Sequence, residues 1–257
     1  MTLLFRLLTA LAILLAPVIS QAAPREEMTI AAAADLHHAM DDIVAGYRRD
    51  HPAASISVVY GSSGVLLTQI EQGAPFDLFF SADSDYPRQL VAHGQAGGQI
   101  TPYALGHLVL WSASLDMHGV RLADLAQPRF GRIAIANPEH APYGKRAEQA
   151  LRGAGVWSAV EPRLVYGENI AQAAQFARSG AAQVGVIALS LALETEFKGS
   201  YVPVPDTAFQ PLLQSFVLTK HGADSDTAKD FVRYVQTPPV RAILAHYGFS
   251  PPSAGEP

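Results

Sequence analysis

The chain has 257 residues, 49% of them hydrophobic, with a net charge of −5 and no cysteine. That length allows one large α/β unit or two small lobes with cores of their own. The acidic balance argues against a nucleic-acid partner, and the lack of cysteine rules out disulfides, thiolate metal sites and a lipid-linked N-terminus.

The N-terminus reads as an export signal. Arg6 supplies the charged start, residues 7–16 the apolar core, and Ser20-Gln21-Ala22 a small-x-small cleavage site. The apolar run is short for a membrane span, and Pro17 interrupts it. Cleavage after Ala22 leaves 235 residues and a net charge of −6, because Arg6 is the only charge removed. The mature chain is expected to be free in the periplasm. Any anion site in so acidic a chain must work through local donors rather than bulk charge.

Met28-Thr29-Ile30 then reads as a strand, the alanines from Ala31 to Ala34 as a small-residue turn, and Asp35 as an N-cap. Leu36, Met40, Ile43, Val44 and Tyr47 mark the helix that follows. Ile56, Val58 and Tyr60 alternate as a strand would, Gly61-Ser62-Ser63-Gly64 turns the chain, and Leu66, Leu67 and Ile70 recur at helical spacing. Phe76-Asp77-Leu78-Phe79-Phe80 is a buried strand running into Ser81-Ala82-Asp83, before a helix over residues 86–93. Three strand ends thus open onto small or hydroxyl residues, each ahead of a helix. The first N–H groups of a helix lack intrahelical partners and sit at the positive end of its dipole. In an open α/β sheet, ligands lie outside the carboxyl ends of the strands. Converging corners of this kind predict an anion site.

A Gly-rich turn at residues 94–98 precedes a strongly apolar strand at 105–111, read as the first crossing into a second lobe. Residues 122–125 form a short helix and 131–136 a buried strand ending at Asn137-Pro138. Pro142-Tyr143-Gly144 opens the next helix, with Ala147, Ala150 and Leu151 on one face. Residues 163–166 are a strand, and Gly167-Glu168-Asn169-Ile170 a corner before the helix of Ala173, Ala174, Phe176 and Ala177. Residues 183–189 are a buried strand, 212–219 the return crossing, and 224–247 two helices parted near Pro238-Pro239. Alternating strands and helices imply parallel sheets with covered faces. Two crossings and two sets of corners suggest two lobes around a cleft; one doubly wound domain with a long insertion is the alternative.

Several of these stretches together resemble the bacterial periplasmic molybdate-binding proteins, the solute receptors of molybdate ABC importers. They are Ala32-Ala33-Ala34-Asp35-Leu36, Gly61-Ser62-Ser63-Gly64, Gln69-Ile70 with Gly73-Ala74-Pro75-Phe76-Asp77, and Ser81-Ala82-Asp83. Asn137-Pro138-Glu139-His140-Ala141-Pro142-Tyr143-Gly144, Gly167-Glu168-Asn169-Ile170, Gly185-Val186-Ile187-Ala188 and Tyr247-Gly248-Phe249 follow in the same order. Each is weak alone; in register along residues 28–249 they are specific. The resemblance implies a type II periplasmic binding protein: two parallel-type α/β lobes joined by two crossover strands, with the ligand cleft between them. Lobe I would comprise residues 24–104 plus 214–257, and lobe II residues 105–213. It also implies a monomer that closes on molybdate or tungstate through uncharged donors, without cofactor or metal cation, and delivers the ion to an inner-membrane ABC permease.

By position in that family, Ser63 would offer a hydroxyl and an amide, Ala82 a backbone N–H, Tyr143 a hydroxyl, and Ile170 the N–H at the start of the opposing helix. Ala188 stands where other members carry a tyrosine, for which Tyr143 would substitute from the other side. The departure is Asp35, where relatives commonly carry serine, threonine or asparagine. Two unit charges about 4 Å apart interact by roughly 4 kcal/mol at an effective dielectric near 20, so a bare carboxylate cannot face a dianion. Either Asp35 turns back to cap its own helix, which the apolar helical run favours, or it accepts a proton from a protonated oxyanion such as hydrogen phosphate. Ser62 is expected to be a helix cap. His37 and His38 should diverge on their helix, and no two histidines have metal-ligand spacing, so solvated histidines are the simpler reading. Two rival functions stay open: a receptor for another oxyanion such as phosphate, and a periplasmic hydrolase. Against the hydrolase, Gly61-Ser62-Ser63-Gly64 lacks the Gly-x-Ser-x-Gly spacing, and no His and acid pair can be assigned to it.

Overall fold

A computed structural model describes residues 27–194 and 198–252; the expected export signal at residues 1–22 lies outside them. In chain order the first lobe contains β1 (Glu27–Ala33), α1 (His37–Asp50), β2 (Ser55–Gly61), α2 (Ser63–Glu71), β3 (Leu78–Ser81), α3 (Asp85–Ala92) and β4 (Ala96–Gly106). His107 then passes the chain to β5 (Leu108–Ser112), β6 (Ile133–Ala136), α4 (Pro142–Gly153), α5 (Trp157–Val160), β7 (Leu164–Gly167), α6 (Ile170–Arg178), β8 (Val184–Ala188), α7 (Leu189–Ala192) and β9 (Ser200–Pro203). The chain returns through β10 (Leu212–Thr219), followed by α8 (Asp226–Val235) and α9 (Pro238–His246).

The strands form two five-stranded sheets, ordered β2-β1-β3-β10-β4 and β7-β6-β8-β5-β9. β1 runs parallel to β2 and β3, and β6 parallel to β7 and β8. The sheets are not purely parallel, however. β10 is antiparallel to β3 and β4, and β5 is antiparallel to β8 and β9. The reason lies in the crossings: the parallel strands end at the cleft, so a strand that enters a lobe from the cleft must run against them.

Two expectations need correction. The apolar run 105–111 is not one strand, because Leu105 pairs with Leu213 in the first sheet while Leu108 pairs with Ala188 in the second. Residues 96–104, expected to begin as a turn, belong to β4 despite Gly97, Gly98 and Pro102. β4 is an edge strand, where a proline and register shifts are tolerated, and its pairing with β10 shifts twice. The short helix expected at residues 122–125 is a 3-10 helix, Leu122–Ala126.

Two-residue alternation divides the first sheet between two cores. Met28, Ile30, Phe80 and Phe216 face α1, α8 and α9, whereas Ala31, Phe79 and Val217 face α2 and α3. The second sheet packs Trp111, Ile135 and Val186 against Phe130, Leu151 and Ala173. Both arrangements hold the carboxyl ends of β1, β2, β3, β6 and β7 at the junction of the lobes.

Candidate functional site

Each of those strand ends turns into a helix start. β1 leads to a 3-10 turn at Ala34–Leu36, β2 through an extended Ser62 to α2, and β3 to Ala82 ahead of α3. On the other side β6 leads to α4, whose first residue is Pro142, and β7 to α6, whose first residue is Ile170. Pro142 has no N–H to leave unpaired, and the Asn169 side chain accepts the Gln172 N–H at 3.0 Å, which caps α6. These starts enclose a cavity of about 10 Å³, walled by Asp35, Ser62, Ser63 and Ala82 from one lobe and by Tyr143 and Ile170 from the other. That is room for about one water molecule.

Five of the six residues singled out from the sequence therefore border one cavity, and Ala188 does not. Ala188 ends β8 in register with Leu108, is fully buried, and is followed at once by α7, so its methyl group packs in the second lobe. Ala82 borders the cavity, but its N–H donates to Ser63 Oγ at 3.0 Å. The bond fixes the Ser63 hydroxyl and leaves that group's own proton to donate.

Asp35 does not cap its helix. No side-chain bond caps either the 3-10 turn or α1, and the carboxyl is only 2% exposed. Its Oδ2 instead accepts Gln214 Nε2 at 2.5 Å, and Oδ1 is buried with no hydrogen-bond partner. Gln214 Nε2 also donates to Tyr143 Oη at 3.2 Å, while Tyr103 Oη donates to Gln214 Oε1 at 2.6 Å and fixes the amide's orientation. Burial lifts the Asp35 pKa from 3.8 to about 6, against the opposing pull of hydrogen bonds from Gln214 and Tyr143. Burial and the neighbouring Asp35 also hold the phenols of Tyr103 and Tyr143 well above their ordinary value. The hydroxyl of Tyr143 is thus engaged with Gln214 and Asp35.

Polar contacts also bridge the two lobes around the cavity. Ser62 Oγ lies 2.8 Å from His140 Nδ1, the Gly64 N–H donates to His140 O at 2.9 Å, and Ser190 Oγ donates to Asp35 O at 2.8 Å. Arg146 Nη2 meets Asp83 Oδ2 at 2.7 Å. Ser62 therefore reaches across the cleft and makes no side-chain cap on α2. His140 Nε2 also stands 3.6 Å from Glu168 Oε1, so a histidine and an acid are found at the serine corner after all. The row is a latch in its geometry: the serine faces Nδ1, whereas a hydrolytic serine faces Nε2, and the Glu168 side chain is 65% exposed. An exposed pair of this kind contributes little.

His37 and His38 do not diverge. Their rings meet edge to face at 4.7 Å, and with Asp41 they form the one His and acid group of cation-binding spacing among the described residues. Each is already engaged: Tyr60 Oη donates to Asp41 Oδ1 at 2.6 Å, His37 packs on the Tyr60 ring, and His38 Nε2 lies 3.1 Å from Glu194 Oε1.

Sequence reasoning missed Gln214, Tyr103, Ser190 and the role of His140. The readable signal for Gln214 was a polar residue inside the apolar run 212–219; the other three carried none.

A family model described as bacterial extracellular solute-binding protein matches residues 28–250. Among curated relatives, the molybdate-binding protein ModA of Rhodobacter capsulatus is 39% identical over 201 residues, covering 76% of this chain and 77% of that protein. ModA of Azotobacter vinelandii is 36% identical over 250 residues, covering 96% and 97%. The solved structure of the Azotobacter vinelandii periplasmic molybdate-binding protein superposes with a TM-score of 0.80 at 31% identity, covering 88% of this chain and 100% of that one.

Proposed function

The chain belongs to the bacterial extracellular solute-binding protein family, and from that membership we propose that it captures molybdate, and tungstate with it, for an inner-membrane ABC permease. Lobe I, residues 27–106 plus 212–252, and lobe II, residues 108–203, close on the ion about the crossings near His107 and residues 204–211. The protein works as a monomer in the periplasm and releases its ligand chemically unchanged.

One observation carries this reading: the starts of α2 and α6 face each other from opposite lobes across a cavity that Ser63 borders. Burying an ion without matching donors is very costly, so the site must replace nearly the whole water shell. Here the Ser63 hydroxyl and the N–H groups of Ser63 and Ile170 are the donors, and among the described residues no lysine or arginine borders the cavity. Neutral, fixed donors make cavity size the selective variable, because sulfate and molybdate carry the same charge. Closure brings both halves of the shell together, and the closed form is the one the permease receives.

Competitive calorimetry with molybdate, tungstate, sulfate and phosphate tests the proposal. Tight binding of the first two and weak binding of the others is expected; equal affinity for all four contradicts it.

A further inference from the structure

We propose that Asp35 meets the captured oxyanion as a protonated carboxylic acid, so that closure on a dianion takes up one proton from solvent. The inference rests on the oxyanion reading above.

The geometry divides the two carboxyl oxygens. Oδ2 is held by Gln214 Nε2, whose orientation Tyr103 fixes from the far side of the amide. Oδ1 is buried, lacks a partner, and belongs to a side chain that walls the cavity. An ionised Oδ1 would face a dianion inside a site with neither lysine nor arginine of the described residues on its wall. Like charges at contact range repel strongly inside a protein, and a dianion doubles the repulsion. A proton on Oδ1 converts that repulsion into a neutral O–H donor, the chemistry of the hydroxyl residue that the resemblance puts at this position. Oδ2 stays a carbonyl acceptor, so the bond from Gln214 is kept. The step is a protonation alone: one proton passes from water or buffer to Oδ1.

The groups facing Asp35 are Gln214 of β10, Tyr103 of β4, Tyr143 of α4 and Ser190 of α7, with Ile170 of α6 across the cavity. Both phenols are held neutral by their raised pKa values. Burial already lifts Asp35 to about 6, and a bound dianion lifts it further. His140, bonded to Ser62 at the cavity wall, is the rival proton acceptor.

Calorimetry of molybdate binding from pH 5.5 to 8.5, in two buffers of unlike ionisation enthalpy, separates these groups. For the unaltered protein the expected result is a Kd that weakens by about tenfold per pH unit above about 6, with uptake of about one proton per ion. Asp35→Asn and Asp35→Ser should bind with flat profiles and no proton uptake, while His140→Gln keeps the slope. A flat profile in the unaltered protein, or a slope that survives both Asp35 variants, overturns the inference and leaves the oxyanion reading standing. Failure of molybdate and tungstate to bind at any pH overturns both.

Discussion

Gly64 and His140 meet backbone to backbone across the two lobes. The Gly64 N–H donates to the His140 carbonyl at 2.9 Å, and a Cβ on Gly64 would stand 2.6 Å from that oxygen. Gly64→Ala should therefore obstruct closure without harming the open protein. The overpacking cost is about 1–3 kcal/mol, or roughly 5- to 150-fold in ligand affinity at 1.4 kcal/mol per decade. Unliganded thermal stability should hold or rise, because alanine is the better helix former. Calorimetry beside unliganded melting checks both halves.

Ser63→Ala removes a hydroxyl that the Ala82 N–H holds in place. Hydrogen bonds to charged groups contribute about 1.5–3 kcal/mol, so molybdate affinity should fall by roughly 10- to 150-fold. Ser62→Ala, which loses its contact with His140, should weaken binding less. Titration of the two variants side by side gives the comparison.

Stability without ligand should depend on pH through Asp35. Its folded-state pKa is raised from 3.8 to about 6, so the folded protein holds this proton more tightly than the unfolded chain. The resulting contribution is fully present below 3.8 and is lost as pH rises through about 6. That rise corresponds to an order of 3 kcal/mol at 1.36 kcal/mol per pH unit. Asp35→Asn should raise the unliganded melting temperature at pH 8 and give little gain at pH 4. Melting curves across that range would contradict this if the gain were equal at both ends.

Arg146 and Asp83 pair across the lobes with side chains only 12% and 11% exposed. Removing one member of such a pair leaves a charge buried alone, at a cost of about 2–5 kcal/mol that appears mainly in dissociation. Arg146→Met should speed ligand release and change the association rate little. Stopped-flow release of tungstate or molybdate measures this; an unchanged dissociation rate would show that the pair does not hold the lobes shut.

The corners were legible because the apolar period changes from two to 3.6 at runs of small residues, as at Gly61-Ser62-Ser63-Gly64 between β2 and α2. β4 was not, since Gly97, Gly98 and Pro102 interrupt its alternation, and only its edge position makes them tolerable. The difficulty of a carboxyl at residue 35 was visible in the chain. Its resolution was not, because Gln214 lies 179 residues further along and Tyr103 reaches Gln214 over another 111. His140 stood inside a quoted stretch, yet its meeting with Ser62 and Gly64 exists only when two lobes face each other. Ala188, taken over from the resemblance alone, is the residue that lies away from the cavity wall.

Crystals grown with molybdate and measured at the molybdenum absorption edge locate the ion directly. One anomalous peak within hydrogen-bonding reach of Ser63 Oγ and the Ile170 N–H, between shut lobes, is the expected result. A peak anywhere else, or shut lobes with no peak between them, would contradict a site built from neutral donors of both halves.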